Sequence, residues 1–337
     1  MIISQLRAGA AYELTDMALL SGSSLIYSPS LETGYTTFPL NLAQDLLQEE
    51  VMDRLRRTVR NDRVEFDFLR PVQRIGHLSQ PAVPLNLIHP YNYFHFLIEA
   101  LPSLVWLLDR KVVADDFVLV TGRLHPNMWT ALNHIIGPNA LSILQLRLMQ
   151  TVTCDKVVTA PPAAHAAQLV QGGTTDWQYN AEKLNLLRGR FQRELSAAAR
   201  EPRRKLYVRR VSRVRNLSNA AEVEAAVKAA GYAVVQPETM GFFDQVRLFA
   251  SASHIIGPTG AWAANLLFAP QDCRAAVFYP DAARIEKAVW DTMAATLGIH
   301  VRNVYCPVTT LRPPPFEIHS DFTATPEIMA DLLNAQG

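Results

Sequence analysis

Between Asn86 and Leu108 the chain reads NLIHPYNYFHFLIEALPSLVWLL, an apolar run whose ionisable side chains, tyrosines apart, are His89, His95 and Glu99. On a helix advancing about 100° per residue, Phe94, Leu97, Ile98, Leu101, Leu104, Val105 and Leu108 share one arc. Asn92, His95 and Glu99, spaced i, i+3, i+7, gather on the opposite side. A solvated helix face would carry Lys, Arg and Glu there. An amide, an imidazole and a carboxylate flanked by Phe96 and Trp106 predict instead a polar stripe lining a cleft; a structural His–Glu pair is the plainer alternative. Pro102 lacks an N–H and clashes with the carbonyl of Ile98, which predicts a kink or break there.

Short apolar runs at Ser24 to Tyr27 and Val64 to Leu69 predict strands, and Leu42 to Arg60 has a helical pattern. Phe117 to Thr121 predicts a buried strand, Met128 to Ile136 a helix stopped by Gly137-Pro138, and Leu141 to Leu144 and Lys156 to Thr159 two more strands. This alternation implies a first α/β domain over residues 1–160. Ala160 to Thr175, rich in Pro, Ala and Gly, predicts a crossover at the domain boundary, followed by a long amphipathic helix from Asn180 to Ala199.

The second half alternates more regularly. Lys205 to Val211, Tyr232 to Gln236, His254 to Ile256 and Arg274 to Tyr279 predict strands. Helices are expected from a Ser218 N-cap to Ala230, over Phe242 to Ala252, and from Ala261 to Phe268. That rhythm predicts a parallel, Rossmann-like sheet over residues 161–310, with ligands at the carboxyl ends of its strands. Leu311-Arg312-Pro313-Pro314-Pro315 predicts a stiff connector within 311–337, and a last helix, Pro326 to Asn334, is capped by Thr325.

Composition narrows the class. The chain has 337 residues, 49% hydrophobic, with a formal charge of +1. The length suits two domains, and the charge excludes whole-surface attraction to nucleic acid or anionic lipid. Three cysteines, Cys154, Cys273 and Cys306, are far apart and form no CxxC or Cys/His cluster. A reducing, cytoplasmic setting without bound metal is the expectation. No signal peptide and no membrane-spanning run is expected, although peripheral membrane contact stays open.

Three stretches carry candidate chemistry. Gly257-Pro258-Thr259-Gly260 joins a strand to a helix, where glycines let backbone approach a ligand and free N–H groups face an anion. It is neither a dinucleotide fingerprint nor a Walker loop. Arg203 to Arg215 holds seven cations and no acid. Arg209, Arg213 and Arg215 fall at or after the strand end, where bidentate phosphate binding is expected; a solvated charge run and nucleic-acid contact are the alternatives. Only Tyr207 offers an aromatic nearby, which argues against RNA. Glu238, just after a strand, suits either a ribose diol or a simple turn.

These stretches resemble glycosyltransferase family 61, once described as a domain of unknown function linked to capsular polysaccharide proteins. NYFHFLIEALPSL (92–104) is similar to its N-x-x-H-[FW]-x-x-[DE]-x-[LP]-P stretch. YVRRVSRVRNLSNAAEVEAAV (207–227) resembles its Arg-rich strand-loop-helix, and FFDQVRLFASASHIIGPTGAWAANLLFAP (242–270) its closing signature. The resemblance implies a GT-B fold, two Rossmann-like domains facing a cleft with the C-terminal helix crossing back to the first domain. It implies an inverting hexosyl- or pentosyltransferase that uses a nucleotide-sugar, UDP-sugar favoured, without required metal. The acceptor would be a glycan or glycolipid in bacterial surface polysaccharide synthesis. By motif position Asn92, His95 and Glu99 face the acceptor side, while Arg209, Arg215, Gly257, Thr259, Gly260 and Asn265 hold the donor.

Two departures stand out. The family's His is Thr259 here, and its second small residue is Trp262, which can stack on a base or sugar or fill the donor pocket. His95 is the preferred base because its pKa lies near working pH, with Glu99 orienting it; the reversed roles remain open. The alternatives in function are a catalytically inactive nucleotide- or sugar-binding relative and a nucleotide-sugar epimerase or hydrolase of the same fold.

Overall fold

The computed structural model describes residues 2–6, 10–37, 55–60, 63–69, 71–113, 115–137, 142–170, 174–281, 289–313 and 317–334. The chain forms two compact units, Met1–Gln168 with Glu182–Arg190, and Leu169–Ala181 with Phe191–Gly337.

The first unit is built on one mixed sheet. Its strands are β1 (Ile2–Gln5), β2 (Tyr12–Leu20), β3 (Ile26–Tyr27), β4 (Thr33–Thr36), β5 (Leu55–Arg60) and β6 (Arg63–Phe68). They are followed by β7 (Gln73–Leu78), β8 (Ala82–Leu85), β9 (Val118–Thr121), β10 (Ser142–Gln145) and β11 (Gln150–Thr159). The order is β10-β9-β8-β11-β2-β3-β4-β1-β6-β5, with β7 also on β11. Strands β8 to β11 pair parallel, whereas β2 meets β3 and β11 antiparallel and β5–β6 is a hairpin. The expectation of a Rossmann-like first domain is thus corrected. Short connections join β2 to β3, β3 to β4 and β5 to β6, and these pairs are antiparallel because a parallel pair needs a longer crossover; β1, parallel to β4, is not its neighbour along the chain. Helices α1 (Leu101–Asp109) and α2 (Pro126–Ile136) supply such crossovers only later. Of the helix expected over Leu42 to Arg60, residues 42–54 lie outside the described residues and Leu55–Arg60 is strand.

The expected crossover after residue 160 contains strand β12 (Ala164–Val170), and β13 (Thr174–Tyr179) follows. The single helix expected over Asn180 to Ala199 is two, α3 (Ala181–Gly189) and α4 (Gln192–Ala198). The break separates residues with different partners. Arg190 pairs with Asp109 at the end of α1, and Phe191 is fully buried with ring centroids 5.3 Å from Phe242 and 5.4 Å from Phe268.

In the second unit strands β14 (Arg204–Val208), β15 (Ala233–Val235), β16 (Ala252–Pro258), β17 (Arg274–Pro280) and β18 (His300–Cys306) pair in parallel throughout. Their order is β15-β14-β16-β17-β18, the doubly wound 2-1-3-4-5 arrangement. Helices α5 (Ala220–Ala229), α6 (Phe242–Ala250) and α7 (Val289–Leu297) belong to this unit. Helix α5 starts after Asn219, not at the expected Ser218 cap. Ser218 Oγ meets Thr309 Oγ1 in β19 (Val308–Thr310) at 2.5 Å. The Asn219 side chain exchanges two hydrogen bonds with the backbone of Ala324.

Those bonds secure the C-terminal segment, β20 (Asp321–Phe322) and α8 (Pro326–Asn334), to the second unit. Phe322, Met329 and Leu332 are buried in one core with Tyr207, Val223, Val227 and Phe278. The expectation that the last helix packs on the first domain is therefore corrected: its apolar i, i+3 pair completes the core over α5. Thr325 does cap it, Oγ1 accepting from Ile328 N–H at 3.4 Å. The three cysteines are buried and in no disulfide. Among the described residues no helix is long and apolar enough to cross a membrane.

Truncating Leu332 to Ala should cost about 2–5 kcal/mol, as buried Leu truncations do. Hydrogen exchange should then show faster amide exchange in β14 and β16; deprotection confined to α8 would overturn this placement.

Candidate functional site

In the first unit, His95–Ala100 form a π-helix running directly into α1. The Leu101 N–H reaches back five residues to the Phe96 carbonyl. An α-helix would have asked Pro102 to donate to Ile98, which a proline cannot do; the wider turn changes register just before it. The displaced Glu99 carbonyl accepts from Ala163 N–H at 3.0 Å and from the Ser103 hydroxyl at 3.2 Å. That hydroxyl also lies 2.9 Å from the Pro161 carbonyl. The backbone of Glu99 is thus tied to the segment after β11.

This register changes the expected stripe. His95 and Glu99 do meet, with Nδ1 2.8 Å from Oε1. The approach lies off the N–H direction, so it is an electrostatic contact and not an aligned hydrogen bond. Asn92 is exposed, and its Oδ1 accepts from Phe94 N–H at 3.0 Å. It starts the helix and is not brought to the pair. His89 is, although spacing did not single it out. Its ring stacks on His95 with centroids 4.1 Å apart and planes at 27°. Burial, then the charge of His95, pulls the His89 pKa down to about 3, so His89 is a neutral ring at working pH. Asn86, in a left-handed conformation at φ 51°, sets its height by donating from Nδ2 to the His89 carbonyl at 2.8 Å.

Glu99 also lines a cavity of about 90 Å³ within the first unit. Ser23, Ser24, Asn86, Ser103 and Thr159 bring polar groups to its otherwise apolar wall. Behind Ser103, the Lys183 ammonium donates to the Pro161 carbonyl at 2.5 Å and stands 5.0 Å over the Trp106 ring. It is 3% exposed, and burial lowers its pKa to about 8.

In the second unit the strand order reverses direction between β14 and β16, and such a switch point opens a crevice at the carboxyl ends of the strands. The residues just past those two ends are Arg209-Arg210 and Thr259-Gly260. Arg209 does not face the turn. Its guanidinium makes a bidentate pair with Glu224 of α5, Nε to Oε1 at 2.6 Å and Nη2 to Oε2. Arg210, which spacing missed, lies against Gly260 so closely that a Cβ there would overlap its Nη1. Alternation along the strand end was the available signal, since adjacent residues face opposite sides. Arg213 is exposed. Arg215 takes a left-handed conformation at φ 60° and donates its N–H to the His319 carbonyl at 3.3 Å.

The turn itself is packed from beneath. Trp262 is 5% exposed, donates from Nε1 to the Pro258 carbonyl at 2.6 Å and stacks on Phe249. It is packed beneath the turn, against Gly257 and Gly260, and presents no exposed ring face. Gly257 passes within van der Waals contact of Val208 and Trp262, so a side chain there would collide with both. Thr259 is fully buried, its hydroxyl accepting from Trp290 Nε1–H at 3.1 Å. Ala261–Phe268 is a 3₁₀ helix, not the α-helix expected. Asn265 is buried and donates to Gln245 Oε1 at 2.9 Å; Gln245 in turn donates to the carbonyls of Pro237 at 2.8 Å and Met240 at 3.3 Å. This chain of amides is buried. It shapes the 3₁₀ turn Pro237–Thr239 beyond β15, where Glu238 is exposed. Among the described residues no three His, Cys, Asp or Glu side chains are grouped to hold a metal ion.

Buried Lys183 couples the stability of the fold to pH. Between about pH 8 and 10.5 the unfolded chain holds a proton that the folded chain has released, so stability rises with pH across that window. The stability difference between wild type and Lys183→Met should grow there by up to about 3 kcal/mol, at roughly 1.4 kcal/mol per pH unit. A difference that stays flat in urea denaturation from pH 7 to 10.5 would contradict it.

No curated protein matches the chain. The model of the family described as Glycosyltransferase 61 matches residues 93–276, more than half of the chain, from the π turn through the Arg-rich loop to β17. The chain belongs to glycosyltransferase family 61.

Proposed function

We propose that this glycosyltransferase is an inverting enzyme that moves a hexosyl or pentosyl group from a nucleoside diphosphate sugar, UDP-sugar favoured, to a hydroxyl of a glycan or glycolipid. The observation that carries the donor assignment is the β14/β16 switch point with Arg210 lying on Gly260. Arg210, with Arg213 and Arg215 in the same loop, supplies fixed positive charge for the diphosphate. Gly257 and Gly260 stay bare to admit Val208, Trp262 and the Arg210 guanidinium at the turn, and Glu238 takes the ribose diol. Arg209 and Asn265 serve by holding α5 and the Glu238 turn in place.

The His95–Glu99 pair accepts the acceptor proton. Glu99 lines the cavity and His95 does not, so the carboxylate takes the role of base and the imidazole that of its partner, the reverse of the order preferred from spacing. The acceptor oxygen attacks the anomeric carbon as the bond to the diphosphate breaks on the opposite face, and the proton passes to the pair. His89, neutral and stacked on His95, holds the imidazole without competing for that proton. Cytoplasmic bacterial surface polysaccharide synthesis, without a required metal, is the setting this reading carries.

One observation favours a binding-only relative: Thr259, standing where the family has His, spends its hydroxyl on Trp290. The same measurements separate the two readings. UDP, GDP or CMP should raise the melting temperature of the wild type. Arg210→Ala should weaken that nucleotide about 10- to 100-fold, the scale of a lost charge-assisted hydrogen bond, and Gly260→Ala should do the same by displacing the guanidinium. No nucleotide-dependent shift overturns the donor assignment. Glu99→Gln and His95→Ala should lower transfer about 10²- to 10⁴-fold while keeping the nucleotide shift. Full turnover in either removes that residue from the proton path, and nucleotide binding without any wild-type transfer establishes the binding-only reading.

A further inference from the structure

We infer that the cavity beside Glu99 is a subsite for one neutral sugar ring of the acceptor. This deepens the transferase reading and rests on it for the word acceptor, but the binding claim concerns the first unit alone. The space of about 90 Å³, at roughly 10–15 Å³ of such space per water, corresponds to about six to nine waters. That is the volume of a single pyranose or furanose and too little for a chain of them.

The wall has the chemistry of sugar recognition. Apolar groups of Leu25, Ile88 and Leu104 offer faces for C–H surfaces. Ser23, Ser24, Thr159 and Asn86 bring polar side chains to the wall. Ser23 Oγ accepts from Leu25 N–H, Ser24 Oγ meets Thr36 Oγ1 and Asn86 Nδ2 donates to the His89 carbonyl, and each group keeps further hydrogen-bonding capacity for an occupant with hydroxyls of its own. Glu99 is the ionic side chain among the lining residues, and it is 4% exposed. An anionic sugar would put a second negative charge against a buried carboxylate, in surroundings where neither is well hydrated. A uronate or a phosphorylated sugar is therefore disfavoured, and a neutral ring can donate a hydroxyl to Glu99 at no such cost. The position also suits the chemistry: the hydroxyl bonded to Glu99 is the one whose proton the His95–Glu99 pair would take.

The test is ligand-observed saturation-transfer NMR on the full chain with millimolar glucose, galactose, mannose and xylose, set against glucuronate and glucose 6-phosphate. Ala100 lines the cavity beside Glu99 and is partly exposed, so Ala100→Leu fills it from a position that tolerates bulk; Ser24→Val is a second filling variant should the first fail to fold. At least one neutral sugar should bind, and a filling variant should weaken it tenfold or more. The two anionic sugars should give no signal. The inference is overturned if no neutral sugar binds, if binding survives in a folded filling variant, or if the anionic sugars bind as well. A nucleotide thermal-shift measurement on the same samples keeps the two claims apart. Sugar binding without a nucleotide response leaves the subsite standing and removes the transferase reading; a nucleotide response without sugar binding does the opposite.

Discussion

Pro102 has no N–H to donate, and the candidate site of the first unit depends on how the helix accommodates that. An α-helical register would leave the Ile98 carbonyl facing a pyrrolidine ring. Placing a π turn at His95–Ala100 moves the mismatch into a segment where outside donors exist. Ala163 N–H and the Ser103 hydroxyl take the Glu99 carbonyl, so Glu99 is held by its backbone while its carboxylate meets His95. Lys183 secures the same segment from behind through Pro161. Remote residues therefore define the site as firmly as those that touch it.

The second unit holds two of its charges by pairing and packing. Two adjacent arginines leave the end of β14, and the sheet divides their work. Arg209 is locked to Glu224 and fixes α5 against the strand end; Arg210 lies over the glycine turn. Beneath that turn, Trp262, Phe249 and Trp290 take the space and the hydrogen-bonding groups that a looser loop would leave to water. The chain of amides from Asn265 through Gln245 to Pro237 extends this order to the next strand end.

Much of this was legible in the sequence where the signal is local. Strand, helix and turn recur within about 25 residues in the second unit, and periodicity alone places β14 to β17 within a few residues of their observed ends. The His95–Glu99 pair was legible from its spacing. The first unit was not, because its sheet joins β2 to β11 and β1 to β6 across long stretches of chain, and no local pattern encodes such pairing. Arg210 was passed over because the strand expected over Lys205 to Val211 runs past its observed end at Val208, and because Glu224, which takes the Arg209 guanidinium, lies on another element. The break at Arg190-Phe191 was hidden by an amphipathic pattern that runs through it; only the separate partners of the two residues explain it. The last helix was assigned by analogy with a fold, whereas its own Met329 and Leu332 specify the core it joins.

The contact between Arg210 and Gly260 joins two positions fifty residues apart into one steric unit. In evolution neither can drift alone: a side chain gained at 260 requires a shorter one at 210, and a lost guanidinium removes the constraint that keeps 260 bare. Relatives that have changed nucleotide, or given up binding one, should carry that history as paired exchanges at these positions, with Gly257, held by Val208 and Trp262 instead, left out of the trade.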